Sequence, residues 1–262
     1  FTLFFIASHF LVAKDITFSR DVMTVLSKSG CNSGSCHGNQ NGKGGFKLSL
    51  WGEKPLLDFK ALRSGGRVNI AEPTESKVLL KPTLQLKHEG KKRFYTGSEE
   101  YRVLLDWIRS GAAEDSDKKP HLVALSVSPG VAMLTFPKKS LALEVTATFS
   151  DGEQIDVTRW AVYEPSNLIA EVTPGGVVEF IQPGETAVFV RYLSGQASMR
   201  VGMIKSRESY QWSGLTPANV IDIHVFSKLK QFRENPANRC NDATFMRRAC
   251  LDITGTLPDP QE

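Results

Sequence analysis

Leu141-Ala-Leu-Glu-Val-Thr-Ala-Thr-Phe149 alternates apolar with small or polar residues, and Ser150-Asp151-Gly152 follows at once. Period two marks a strand with one buried face, and Ser-Asp-Gly is turn chemistry. Gln154-Ile-Asp-Val-Thr158 reads as a second short strand. Further apolar runs at 168–173, 177–181, 186–193 and 197–204 are split by Pro174-Gly-Gly, Pro183-Gly184 and Ser194-Gly195. Short strands with turn signals about every 8–12 residues predict an all-β sandwich. We place it at 121–204.

Working outward, the pattern changes on both sides. Residues 205–217 are polar and end in Pro217, a linker. Residues 218–262 open as a partial α-helical segment, with Val220, Ile223, Phe226 and Leu229 on one face, then Phe245, Met246 and Cys250. They stop at Leu257-Pro-Asp-Pro-Gln-Glu262, which reads as the start of a further unit. On the other side, Glu114-Asp-Ser-Asp-Lys-Lys-Pro120 is a charged linker. Before it, Ser98 is placed to cap a helix carrying Tyr101, Leu104, Leu105 and Ile108 and ending at Gly111. Phe18, Val22, Val25 and Leu26 share a face of an earlier helix over 17–27. Residues 46–97 are expected to be irregular, punctuated by Pro55, Pro73 and Pro82. Residues 14–113 thus form an all-α domain in a multi-domain chain. Phe1–Ala13 reads as the apolar core of a secretory signal without its basic start. We therefore expect a partial signal peptide over 1–13 and export to a periplasm or the cell surface.

Composition narrows the function classes. Hydrophobic content of 41% and charged content of 23% over 262 residues exclude a disordered or collagen-like chain. The 13-residue apolar start is shorter than the roughly 20 residues a membrane span needs, so no span is expected. A net charge of +4 shared among 32 basic and 28 acidic residues does not point to nucleic acid. Four cysteines are too few for a disulfide scaffold of this size.

Two of the cysteines carry the chemistry. Gly30-Cys31-Asn-Ser-Gly-Ser-Cys36-His37-Gly38 sets two thiols and an imidazole on one short loop. Covalent haem c needs two thioether sulfurs and a histidine directly after the second cysteine, usually as Cys-x-x-Cys-His. Here four residues intervene, small ones that can bulge out between the thiols. A Cys31–Cys36 disulfide and a zinc site are the other readings, though adjacent Cys36 and His37 point apart and no second ligand pair follows at finger spacing. Terminal helices flanking irregular chain beside such a motif are the cytochrome c-like arrangement. Between 38 and 120 the sole histidine is His88, and no methionine lies there. We therefore expect haem c iron held by His37 and His88, with an open or water-filled sixth position as the alternative. Tyr101 and Trp107 serve the helix contact or line the haem. Lys87, Lys91, Lys92 and Arg93 form either a solvated loop or a positive rim for an acidic redox partner. Asp151 and Asp156 suit turns better than calcium; Cys240, Cys250 and His224 read as structural.

Taken together, these residues resemble known families. Cys31 to Gly38, Gly44-Gly-Phe-Lys-Leu-Ser-Leu-Trp-Gly52, Arg67-Val-Asn69, Pro73, Leu79-Leu-Lys-Pro82, His88-Glu-Gly90, Gly97-Ser-Glu-Glu-Tyr101 and Trp107-Ile108 resemble the planctomycete-type cytochrome c domain over about 17–113. That resemblance implies covalent haem on Cys31 and Cys36 with His37 as proximal ligand. Leu125-Ser-Val-Ser-Pro129, Ala147-Thr-Phe-Ser-Asp-Gly152, Asp156-Val-Thr158 and Gly184-Glu-Thr-Ala187 resemble a bacterial Ig-like domain of group 2. Asn219-Val-Ile-Asp222, Lys228-Leu229, Arg247-Arg248, Leu251-Asp-Ile-Thr-Gly255 and Pro258 resemble the start of a planctomycete domain of unknown function. The expectation is an exported one-electron carrier within a larger multidomain protein, with no catalytic set visible in this chain. An oxidoreductase activity in a longer protein stays open. The opposing expectation is an extracellular binding or adhesion protein, touching cell surfaces or polysaccharide through the Ig-like domain, with Cys31 and Cys36 in a disulfide.

Overall fold

The computed structural model describes residues 16–115 and 119–259. The expected signal segment 1–13, and residues 116–118 of the expected linker, lie outside them. Residues up to Leu134 together with Lys138–Met203 form one compact unit; Thr135–Pro137 with Ile204–Glu262 form a second. The protein mixes helices and sheets, with a β-sandwich-like region in the first unit.

That unit begins with a π-helical turn, Phe18–Val22, running into α1 (Met23–Lys28). The first amides of a helix lack intrahelical acceptors, and two carboxylates supply them. Asp115 accepts from the backbone N–H of Phe18 and Ser19 at 2.8 and 2.6 Å, and Asp21 accepts from Thr17 N and Oγ1 at 2.7 and 3.0 Å. Phe18, Val22, Val25 and Leu26 are buried, as their spacing predicts. The stretch expected to be irregular is not wholly so. It holds α2 (Pro55–Arg63) and the single turn α3 (Lys77–Leu80). Pro55 opens α2 at a position where the missing N–H is not needed and its fixed φ suits a helix. α4 (Glu99–Arg109) starts at Ser98, whose Oγ accepts from Tyr101 N at 3.3 Å. It ends before Gly111, whose φ of 98° leaves the helix through the left-handed region. Leu104, Trp107 and Ile108 of α4 meet Val22, Leu26, Leu62 and Leu79 in one core.

From residue 122 the chain is β. The strands are β1 (Leu122–Ser128), β2 (Val131–Thr135), β3 (Ser140–Ala142), β4 (Glu144–Phe149), β5 (Gln154–Asp156), β6 (Val162–Pro165), β7 (Ala170–Val172), β8 (Val177–Phe180), β9 (Gly184–Tyr192) and β10 (Gly195–Ile204). They form three sheets in the orders β1-β4-β5, β2-β10-β9-β6 and β3-β8-β7. The alternating run 141–149 changes sheets midway, because β3 pairs with β8 whereas β4 pairs with β1 and β5. Leu143, Val145, Ala147 and Phe149 keep their period and are all buried. β9 and β10 join through Leu193-Ser194 with Tyr192 opposite Gly195, a two-residue hairpin. Val188, Val190, Met199 and Val201 from this hairpin fill a second core. Trp160 and Leu193 pack on both cores.

In the second unit, α5 (Val220–Gln231) and α6 (Asp242–Thr254) start at Asn219 and Asn241, whose side chains accept from Asp222 N and Thr244 N. The expected helical stretch is there. Neither helix has a buried residue; along the apolar face, Val220 and Ile223 are exposed whereas Phe226 and Leu229 are half-buried.

Candidate cofactor site

The site grows from the end of α1. Gly30, at φ 69°, turns the chain out of the helix, and Cys31 N bonds back to Leu26 O at 2.8 Å. The loop then closes on itself. His37 N donates to Cys31 O at 2.9 Å, while Cys36 N and Gly38 N both donate to Ser33 O at 3.0 Å. The four residues between the cysteines thus bulge without separating the segments that carry the thiols. Asn32 is fully buried and donates from Nδ2 to Ser27 Oγ at 2.8 Å, tying the bulge to α1. A Cβ on Gly38 would run into the Asn32 carbonyl, so only glycine fits after His37.

The His37 imidazole is held from behind. Its Nδ1 lies 3.1 Å from Lys43 O and 3.0 Å from Phe46 O. A carbonyl only accepts, so Nδ1 carries the proton and Nε2 keeps the lone pair of the neutral ring. Those carbonyls are presented by a two-residue turn in which Lys43 and Phe46 exchange backbone hydrogen bonds of 3.2 and 3.1 Å. Gly44 and Gly45 fill its centre at φ 59° and 68°, values that a type I′ turn requires and glycine adopts freely. Burial lowers the His37 pKa; the two carbonyl bonds oppose this, and His88 and Lys81 add to it. The neutral ring is therefore the favoured form.

His88 is held in the same manner. Its Nδ1 lies 2.9 Å from Lys91 O, and Lys91 N returns a bond to His88 O at 3.1 Å. The two imidazoles face one another at 6.4 Å between ring centres, with planes 14° apart. Both line a cavity of about 540 Å³ together with Cys31 and Cys36. That volume falls within the roughly 300–1,000 Å³ of ligand clefts. Leu26, Leu62, Val78, Phe94 and Leu104 give it an apolar wall; Lys43, Arg67, Lys77, Lys81 and Lys87 also line it, with one acid, Glu89.

All four expected site residues therefore converge on one cavity. Cys31 and Cys36 carry free thiols. Burial pushes the Cys31 thiol up to about 12, partly offset by Arg93, so the thiol is protonated at neutral pH. Arg93 Nη2 also donates to Cys36 Sγ at 3.1 Å. Tyr101 and Trp107 do not line the cavity. Trp107 packs on Phe18, 5.4 Å between centres, and donates from Nε1 to Ala113 O at 3.1 Å. The sequence places Arg93 in a basic rim, but not its bond to Cys36, and gives neither Arg67 nor the Lys43–Phe46 turn a part in the site; the Gly44-Gly45 pair was the signal for the turn. Asp151 and Asp156 accept from Glu153 N and Thr158 N at 3.0 and 2.8 Å, as turn residues do. A larger open cleft of about 710 Å³ in the second unit, around Arg207, Tyr210 and Arg233, has no cysteine or histidine in its lining.

No family model matches the chain, and no curated protein matches it. Among solved structures, domains 5–6 of the S-layer protein SbsC match with 12% identity and a TM-score of 0.28 over 32% of this chain and 45% of that one. The PKD domain of human KIAA0319 matches with 16% identity and a TM-score of 0.21 over 40% of this chain and 99% of that one. The chain thus spans less than half of the first of these. Such likenesses assign neither family nor function. The family resemblance is accordingly corrected. Four residues lie between Cys31 and Cys36 where the usual haem-attachment pattern has two, and among the described residues no group of three or more His, Cys, Asp or Glu could hold a metal ion. Assignment of 17–113 to planctomycete-type cytochromes c, of 121–204 to group 2 Ig-like domains and of 218–262 to the planctomycete domain does not stand. Among the described residues, no helix is long and apolar enough to cross a membrane.

Proposed function

We propose that the cavity between His37 and His88 takes a covalently attached haem c and that the chain is an exported one-electron carrier, periplasmic or at the cell surface. One observation carries the reading: the spacing of the two imidazoles. A metal ion sits about 2 Å from an imidazole nitrogen, so iron shared by two histidines needs their rings on opposite sides of one gap. His37 and His88 stand 6.4 Å apart with nearly parallel planes. Two side chains cannot hold a bare ion well, but a macrocycle supplies the remaining donors itself. Each Nδ1–H is committed to backbone carbonyls, the outer-shell arrangement that fixes a ligating ring and raises its basicity.

The chain's residues divide the work. Cys31 and Cys36 would hold the haem through thioethers, and His37 and His88 would hold its iron. Haem c supplies reversible one-electron chemistry at iron, while the protein sets ligation, access and docking. Two imidazoles give a lower potential than a His/Met pair, and no methionine lines the cavity. Lys43, Lys81 and Lys87 in the cavity lining would draw an acidic redox partner in a salt-dependent way.

The test is a pyridine haemochrome spectrum on the full chain made with cytochrome maturation machinery, together with haem staining after a denaturing gel. Colour that stays on the polypeptide, and is lost in Cys31→Ala/Cys36→Ala, is expected. A near-infrared Met–iron band in the oxidised protein would rule out His88, and His88→Ala should change the low-spin spectrum. A colourless protein overturns the reading. The β-sandwich would then be the working part, as a surface-binding module; the exposed Leu168 and Ile181 at 90% and 64% favour that second reading.

A further inference from the structure

Arg67 reaches three backbone carbonyls through its two Nη groups, with Nη1 also 3.3 Å from Ser64 Oγ. Nη1 donates to Ser64 O at 2.7 Å and to Ala61 O at 3.2 Å, both at the end of α2. Nη2 donates to Gly45 O at 2.8 Å, in the middle of the Lys43–Phe46 turn. The guanidinium also lies over the Phe46 ring, 4.6 Å from its centre, and that ring lies 4.7 Å from the His37 ring. One side chain thus clamps to α2 the turn whose carbonyls hold His37 Nδ1–H. We propose that Arg67 is a positioning residue for His37: it sets the imidazole's tautomer and orientation through the turn, without touching the ring. Lysine cannot replace it. A single ammonium keeps the charge but lacks the planar fork that spans three carbonyls.

The inference rests on the haem reading for one readout, the reduction potential, and there the sign discriminates. Were Arg67 only a cation near the iron, its removal would lower the potential by relieving repulsion with the oxidised centre. As a positioning residue, its loss weakens the Nδ1–H bond, makes His37 a poorer donor and raises the potential. Arg67→Lys is the decisive variant because charge is retained. The experiment measures the potential of the haem-loaded full chain and the His37 ring ¹⁵N pattern of the full chain prepared without haem, with thermal melting alongside. Expected are an upward shift in potential and a mixture of ring tautomers in Arg67→Lys, with the tautomer mixture repeated in Arg67→Ala. An unchanged or lowered potential with an unchanged ring pattern overturns the proposal. Loss of folding in Arg67→Lys would assign the residue to structure alone and overturn it as well. If the wild type takes no haem, the haem reading fails while the ring pattern still decides the role of Arg67.

Discussion

Lys28 shows how much one side chain can link. It ends α1, yet its Nζ donates to Ala161 O and Pro174 O, both at 2.7 Å, in the β region of the same unit. It also lies over the Tyr163 ring at 5.5 Å. Burial lowers its pKa to about 8 from 10.5, with Glu100 opposing and Arg159 adding to the shift. The sign follows from proton counts. Below about pH 8 the amine is charged in folded and unfolded chains alike, and the full burden of burying the charge is present. Between about 8 and 10.5 the unfolded chain binds more protons than the folded one, so stability rises with pH. In urea titrations the wild type should gain on Lys28→Met across that window and hold a constant difference below it. A difference that shrinks in favour of the variant as pH rises would contradict the assignment. The residue was unreadable beforehand, because its partners are carbonyls more than a hundred positions away.

At the scale of elements, legibility followed the locality of the cause. The α4 cap was legible because Ser98 and Tyr101 are three positions apart and the Oγ-to-amide bond needs nothing else. Replacing Ser98 with Ala should lower stability by about 1 kcal/mol, read as a lower urea midpoint with an unchanged slope. The alternation of 141–149 was equally plain, although not its passage between two sheets, which depends on distant β8. α2 was missed because Pro55 was taken as an interruption, whereas at the first helical position it is a start. The site divided along the same line. Cys31, Cys36, His37 and His88 were found from residue type and order, and the geometry brings them to one cavity. The carbonyls behind each imidazole, and the Arg67 clamp, come from backbone conformation that a sequence does not display.

For the whole molecule, the contrast is between a unit with two cores and one in which none is found among the described residues. Trp160 and Leu193 pack on both cores of the first unit, and Arg159 adds contacts to Glu99 and Glu100 across the same boundary. Exposed ion pairs contribute little, so the apolar bridge is what couples helices to sheets. The second unit's helices bury no side chain, and a helix of 12 or 13 residues is marginal in water without packing. Capping by Asn219 and Asn241 fixes where α5 and α6 begin; it does not supply a core. Amide protection tracks the free energy of local opening. Hydrogen exchange should therefore be slowest in β9, β10 and α4, where Val188, Val190, Val201, Leu104 and Ile108 are fully buried. In α5 and α6 it should be faster by orders of magnitude and nearly independent of denaturant, as for openings that expose little new surface. Equal protection in both units would mean that α5 and α6 are covered in solution by something that packs on Val220, Ile223, Phe245 and Ile253.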